Sequence, residues 1–251
     1  MLILLPPSET KRPGGDGPPL RIPALALPSL GPEREATVDA LVALSADEDE
    51  AARVLKLSVR QRGDIAANAA LRDGQTLPAV DRYTGVLFDA LDAPSLDRRA
   101  RTWLGAHVMI HSAPFGPVGA LDPVPAYRLA ANTALPGLPP LRRLWAASVT
   151  TALEAAAPAF VLDLRSEAYS ALGPVPAGVP GAYVRVVTEG PDGAVRALNH
   201  FNKATKGRLV RQLAEARPRV GTIAGLRRHL QSEGWRIDES DGEWRLFASD
   251  H

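Results

Sequence analysis

Four consecutive apolar residues, Leu2 to Leu5, are followed at once by Pro6 and Pro7. So short and uniform a run suits a strand buried on both faces. The prolines end it, because neither can donate to a sheet ladder. The chain therefore begins inside its own core. Ser8, Glu9, Thr10 and Lys11 then place a hydroxyl, a carboxylate, a second hydroxyl and an ammonium at the mouth of that core. Polar loops on a rigid scaffold are where binding and catalytic groups concentrate. Read alone, an ordinary polar turn is the simpler account of these residues.

The remaining pattern mixes strands and helices. HVMIHS and FVLDLR read as strands, AYVRVVTE and AVRALNHF as a hairpin across GPDG, and GWRID with EWRLF as a terminal hairpin across ESDG. Helical spacing runs from Glu33 to Leu44, and a Ser45-Ala46-Asp47-Glu48 capping box predicts a helix to about Leu57. GDIAANAALRD, SLDRRARTWL, LRRLWAASVTTALEAAA, FNKATKGRLVRQLAEAR and TIAGLRRHL are further helices, and DRYTGVLFDAL combines helical spacing with a glycine. The Pro- and Gly-rich stretch from Arg12 to Pro32 is expected to be irregular and exposed. Strands mixed with many helices and two antiparallel hairpins predict an α+β protein. The expectation is one compact domain over residues 1–251 with a mixed or antiparallel sheet.

Several functions are excluded or disfavoured. There is no cysteine, which removes disulfides, thiolate metal sites and cysteine nucleophiles. No apolar stretch approaches the roughly 20 residues that span a bilayer, and the N-terminus lacks the basic region of a signal peptide. The expected location is cytoplasmic. His107 and His111, read as strand residues, would stand roughly 13 Å apart and share no ion, so no metal and no cofactor is expected. Gly14-Gly15-Asp16-Gly17 lacks the phosphate-loop pattern and reads as a flexible turn. VGTIAGLRRHL fits the cap of a short helix better than a phosphate-binding hairpin.

Charge is more informative. The chain is formally +1, yet Lys203 to Leu230 holds eight basic residues against the single acid Glu215. Such a stripe is an electrostatic footprint for a polyanion or a phosphorylated ligand, or else a solvated helix face. Of 29 basic residues only four are lysines, namely Lys11, Lys56, Lys203 and Lys206. In so arginine-rich a chain the lysines mark places where a compact, tunable ammonium is wanted.

Six fragments carry a family resemblance through their order and spacing: PPSETK, DRYTGVLFDAL, HSAPFGPVGALDPVPAYRL, LWAASVTTAL, VLDLRSEAY and FNKATKGRLVRQL. Together they resemble the blocks of the peroxide stress protein YaaA family. The matching positions include Tyr83, Gly85, Ser112, Phe115, Asp122, Tyr127, Arg128, Glu167, Tyr169, Phe201, Lys203, Lys206 and Gly207. Gly119 stands where the commoner form has an arginine, and the opening loop has Glu9 where a lysine would fall, so the resemblance is to a divergent branch. The resemblance implies a cytosolic protein that limits peroxide and iron damage and resembles DNA-binding proteins in having a basic cleft. It brings no settled reaction.

Two functions follow as expectations. In the first, Lys11, Arg128, Lys203, Lys206, Arg208 and Arg211 line one basic cleft and bind DNA phosphates without sequence preference. Tyr83, Tyr127 and Phe201 would offer rings to an unpaired base, although few aromatics argue against broad single-strand binding. In the second, an enzyme acts on a nucleotide-like or other phosphorylated small molecule, with Ser8, Glu9, Lys11, Tyr127 and Arg128 as catalytic candidates. Pro123 and Pro125 stiffen the approach to Tyr127-Arg128, and an ion pair between Arg128 and Asp122 is the structural alternative for that arginine. Neither function calls for a membrane, and a monomer is favoured.

Overall fold

The computed structural model describes residues 1–189, 195–197, 201–240 and 242–248, the side chains of 195–197 and 201 excepted. The GPDG turn lies outside the described residues. The strands are β1 (Leu2–Leu5), β2 (Leu77–Pro78), β3 (Val108–Ser112), β4 (Gly116–Gly119), β5 (Pro123–Val124), β6 (Val161–Asp163), β7 (Gly181–Glu189), β8 (Val195–Ala197), β9 (Ile237–Ser240) and β10 (Glu243–Phe247). The helices are α1 (Gly31–Leu44), α2 (Glu48–Val54), α3 (Gly63–Ala69), α4 (Ala79–Arg82), α5 (Val86–Leu91), α6 (Arg98–His107), α7 (Leu141–Ala155), α8 (Glu167–Ser170), α9 (Phe201–Ala216) and α10 (Ile223–Ser232).

The main sheet runs β4-β3-β1-β6-β7-β10-β9, with β8 also paired to β7. β1 pairs in parallel with both β3 and β6, as do β6 with β7 and β7 with β10. β4, β8 and β9 join antiparallel. The fold is thus α+β with a mixed sheet, and both expected hairpins form. Its five-strand parallel centre comes from strands far apart in sequence, since parallel neighbours need long crossovers that local patterning does not reveal. Ile3 lies between Val108 and Leu162. All four β1 residues are buried, as the opening run demanded.

Other local expectations change for identifiable reasons. The cap of α2 is Asp47, which accepts from the Glu50 N–H (3.0 Å), while the Ser45 hydroxyl turns back to the Leu41 carbonyl. Gly85, at φ +94°, separates α4 from α5 and so breaks the DRYTGVLFDAL pattern. The stretch from Arg12 to Leu30 is irregular apart from short 3-10 turns at Ile22–Ala24 and Pro28–Leu30, Gly31 and Pro32 already belong to α1, and Ile22, Leu25 and Leu30 are buried. Arg34 draws this stretch inward, donating to the carbonyls of Ala26, Phe115 and Pro117. Gly17 is likewise no free turn, because its N–H donates to the Thr76 carbonyl (3.0 Å). His107 ends α6 instead of entering a strand, and its Nδ1 lies 3.0 Å from the Met1 carbonyl oxygen. Thr222 caps α10 through the Gly225 N–H, as expected for a plain helix start.

Candidate functional site

From β1, the next parallel strand in sequence, β3, lies on one side, and β6 lies on the other. Loops leaving the carboxyl ends of two such strands diverge and leave a crevice, the usual ligand position in open sheets with parallel strands. The loops after β1 and β6 here line a cavity of about 740 Å³. Pro6 to Glu9 form one wall and Ser166 to Tyr169 another. Thr84 to Phe88, Tyr183 to Val186 on β7, and Asn202, Lys203 and Lys206 on α9 complete it.

The opening loop is held by its own hydroxyls. Thr84 Oγ1 donates to Thr10 Oγ1 (3.0 Å), and Ser8 Oγ lies 3.3 Å from Thr10 Oγ1. A β-carbon on Gly85 would approach Ser8 Oγ to 3.2 Å, so this glycine allows both the turn and the close contact. Lys11 lies behind the loop and does not line the cavity. Its ammonium donates to the carbonyls of Ser8 (3.0 Å) and Glu9 (3.2 Å) and sits 4.0 Å from the centre of the Tyr127 ring. Burial pulls the Lys11 ammonium down to about 7, with Glu9 opposing and Arg128 adding to the shift.

Tyr83 and Tyr127 are core residues joined through their hydroxyls (2.8 Å). Burial pushes Tyr83 up to about 12 and Tyr127 well above its ordinary value, so both remain phenols. They support Lys11 from below and offer no ring to the cavity. The Phe201 side chain lies outside the described residues. Arg128 is not paired with Asp122, which instead caps the Ala26 and Gly119 N–H groups. Its guanidinium approaches Glu9, donating to the carbonyl (3.3 Å) and lying 3.7 Å from the carboxylate.

The cations of α9 divide into two groups. Lys203 is exposed on the cavity wall, and Lys206 is 5% exposed, donating to the Leu164 carbonyl (2.9 Å). Burial pulls Lys206 down to about 8, Asp163 opposing and Arg185 adding. Arg211 instead ties α9 to the residues after α5, donating to Leu91, Asp92 and Ser95 and pairing with Glu215. Arg208 reaches Thr205 and, like Arg211, does not line the cavity. The stripe read from the sequence is thus split by helix geometry into a cavity face and a packing face.

Four residues escaped the sequence reading as site candidates. Tyr183 and Arg185 share one face of β7 by strand alternation, with the Arg185 guanidinium 5.4 Å from the Tyr183 ring centre. Tyr169 follows the β6 exit, and burial raises its hydroxyl pKa. Asn202 has a buried Oδ1 without a hydrogen-bond partner. The alternation of AYVRVVTE was the available signal for the first two. For Asn202 nothing local pointed to a cavity. Among the described residues, no group of three or more His, Asp or Glu side chains is arranged to hold a metal ion. No described helix is long and apolar enough to cross a membrane.

A family model for the peroxide stress protein YaaA matches residues 1–241. The chain belongs to the YaaA family. A UPF0246 protein of Corynebacterium efficiens is 46% identical over 229 residues, covering 90% of this chain and 89% of its own. Another, of Streptomyces coelicolor, is 41% identical over 240 residues, covering 95% and 92%. A third, of Corynebacterium glutamicum, is 40% identical over 244 residues, covering 96% of each chain. Of the six fragments that carried the YaaA resemblance, PPSETK, DRYTGVLFDAL, VLDLRSEAY and FNKATKG all supply lining residues to the cavity.

Proposed function

We propose that this protein is a cytoplasmic, monomeric member of the peroxide stress response that binds DNA without sequence preference and limits peroxide- and iron-driven damage to it. In this reading an unpaired nucleotide enters the cavity between the β1 and β6 loops. Lys203 and Lys206 hold its phosphate, and Tyr169, Tyr183 and Phe88 meet the base. The observation that carries the reading is the convergence of four separated family fragments, two of them bearing scarce lysines, on one nucleotide-sized cavity. A cavity with ammonium groups and aromatic rings suits a phosphate joined to a flat base.

The test is fluorescence anisotropy of a labelled duplex containing one unpaired nucleotide, titrated across salt. Each phosphate released from counterions adds roughly 0.7 to 0.9 to the slope of log K against log salt. Replacing Lys203 by Ala and Lys206 by Met is expected to flatten that slope by about 1.4 to 1.8. Binding that is absent at low salt, or unchanged in the double variant, contradicts the reading.

A second reading, an enzyme acting on a nucleotide-like or other phosphorylated small molecule, draws on Lys11. Its amine, pulled down to about 7 by burial and held at the carbonyls of Ser8 and Glu9 behind the cavity loop, is suited to moving protons at neutral pH. Chemical change of a free mononucleotide by the wild type, lost in Lys11→Met, would favour it over DNA binding.

A further inference from the structure

A second cavity, of about 520 Å³, lies beside the first and is framed by β6, the start of β7 and the segment from Ser170 to Val179. Its wall is mainly apolar, including Val161, Pro174, Val175 and Val179. Tyr183 lines both cavities. The Arg185 guanidinium lies 5.4 Å from the centre of the Tyr183 ring.

The polar floor of the second cavity is built, and it has a definite sense. Asp163 accepts from Arg165 Nε (2.9 Å), Arg165 Nη2 (2.7 Å) and the Arg165 backbone N–H (3.0 Å), and from Ser170 Oγ (3.1 Å). With four donors the carboxylate is saturated. Ser170 has committed its proton to Asp163, so its oxygen presents only lone pairs to the cavity. The floor therefore accepts a hydrogen bond from a ligand N–H while the wall takes an apolar, flat body. A nucleobase bearing an exocyclic amine or imide N–H has those properties.

We propose that the two cavities are lobes of one site for two consecutive unpaired nucleotides, with Tyr183 as the side chain that the two lobes share. This rests on the reading of the first cavity as a nucleotide site. The cation lobe takes one nucleotide with its phosphate. The apolar lobe takes the next base, which stacks on Tyr183 and donates to Ser170. Longer single strands gain no further base contact, consistent with a chain poor in aromatic residues.

The test is isothermal titration with deoxyadenosine 5′-monophosphate and with the adenine di- and trinucleotides, against the wild type and Ala177→Trp. Ala177 is exposed and lines the second cavity but not the first, so an indole there fills the apolar lobe without entering the core. A thermal melt confirms that the variant folds. For the wild type we expect the dinucleotide to bind roughly tenfold tighter than the mononucleotide, as one stacked base allows, with little further gain for the trinucleotide. In Ala177→Trp the mononucleotide affinity is expected to stay the same while the dinucleotide gain disappears. Mononucleotide binding without a dinucleotide gain, or a gain that survives in Ala177→Trp, overturns the two-lobed site and leaves the first cavity's reading intact. Failure of mono- and dinucleotide alike to bind overturns both.

Discussion

Lys206 donates its ammonium to the Leu164 carbonyl at 2.9 Å, which joins α9 to the exit of β6 at the floor of the cavity. This buried lysine titrates near 8, chiefly because burial disfavours its charged form. Its charge, and with it the attraction for phosphate, is therefore present at pH 7 and fades as pH rises through about 8. DNA affinity is expected to fall between pH 7 and pH 9 in the wild type and to be weaker and flatter in Lys206→Met. Stability moves the other way. The folded pKa lies below the ordinary value of 10.5, so the unfolded chain binds more protons between about 8 and 10.5 and stability rises across that window. Lys206→Met is expected to remove a rise on the order of 3 kcal/mol. Denaturant titrations at several pH values, with anisotropy alongside, check both signs.

Arg165 is fully buried and donates to Asp163, to the Gly173 carbonyl (2.9 Å) and to His111 Nδ1 (2.8 Å). Burial, with the Arg165 guanidinium adding, holds His111 well below its ordinary value, so the imidazole stays neutral. Arg165→Met leaves the buried Asp163 carboxylate without its cation, keeping only the backbone N–H and Ser170 as donors, which costs about 3 to 5 kcal/mol. A much smaller loss by denaturant titration would show that water or a shifted neighbour replaces the guanidinium.

Gly207 faces α5 so closely that a β-carbon would lie 2.2 Å from the Leu87 carbonyl oxygen. In an open helix Gly→Ala gains up to about 1 kcal/mol. Here the helices must part, at a typical cost of about 1 to 3 kcal/mol. The clash wins, so Gly207→Ala is expected to lower the melting temperature. Because α5 and α9 both wall the cavity, nucleotide affinity is expected to fall as well.

Arg128 separates loop positioning from stability. Its backbone is fixed by Asn68, which accepts from the Arg128 N–H (2.7 Å) and donates to its carbonyl (2.9 Å). Only the guanidinium reaches Glu9, and that half-exposed pair is worth about 0 to 1 kcal/mol. Arg128→Lys keeps the charge and loses the fork. The expected result is a nearly unchanged melting temperature with several-fold weaker DNA binding, read by melting and anisotropy on one preparation.

The parts of this fold legible in the sequence are those governed by local pattern. The apolar tetrad Leu2–Leu5 and the alternation around Tyr183 and Arg245 identified buried strands and hairpins, because side-chain period and turn residues are local properties. The parallel order was hidden, since nothing local records that Ile3 meets Leu162. The buried arginines were equally hidden. Arg34 and Arg82 are wholly buried because irregular loops bring carbonyls inside the protein, where each needs a donor. Arg82 supplies them to Val124 (3.0 Å), Gln75 (3.0 Å) and Arg12. Of the scarce lysines, Lys203 and Lys206 line the cavity and Lys11 lies behind its opening loop. Whether a cation on α9 faces the cavity or packs against α5 depends on how the helix is rotated, and Arg211 shows the second outcome.

An unpaired nucleotide of DNA held between the β1 and β6 loops would lie against Tyr169, Tyr183 and Phe88. Photocrosslinking tests it most directly, using a duplex with one unpaired 5-iododeoxyuridine and mass spectrometry to locate the attached residue. The expected attachment is at Tyr169, Tyr183 or Phe88, and it is lost when excess deoxyadenosine 5′-monophosphate competes for the cavity. Attachment confined to α10 around Arg227 and Arg228, or attachment that the mononucleotide does not displace, would contradict it.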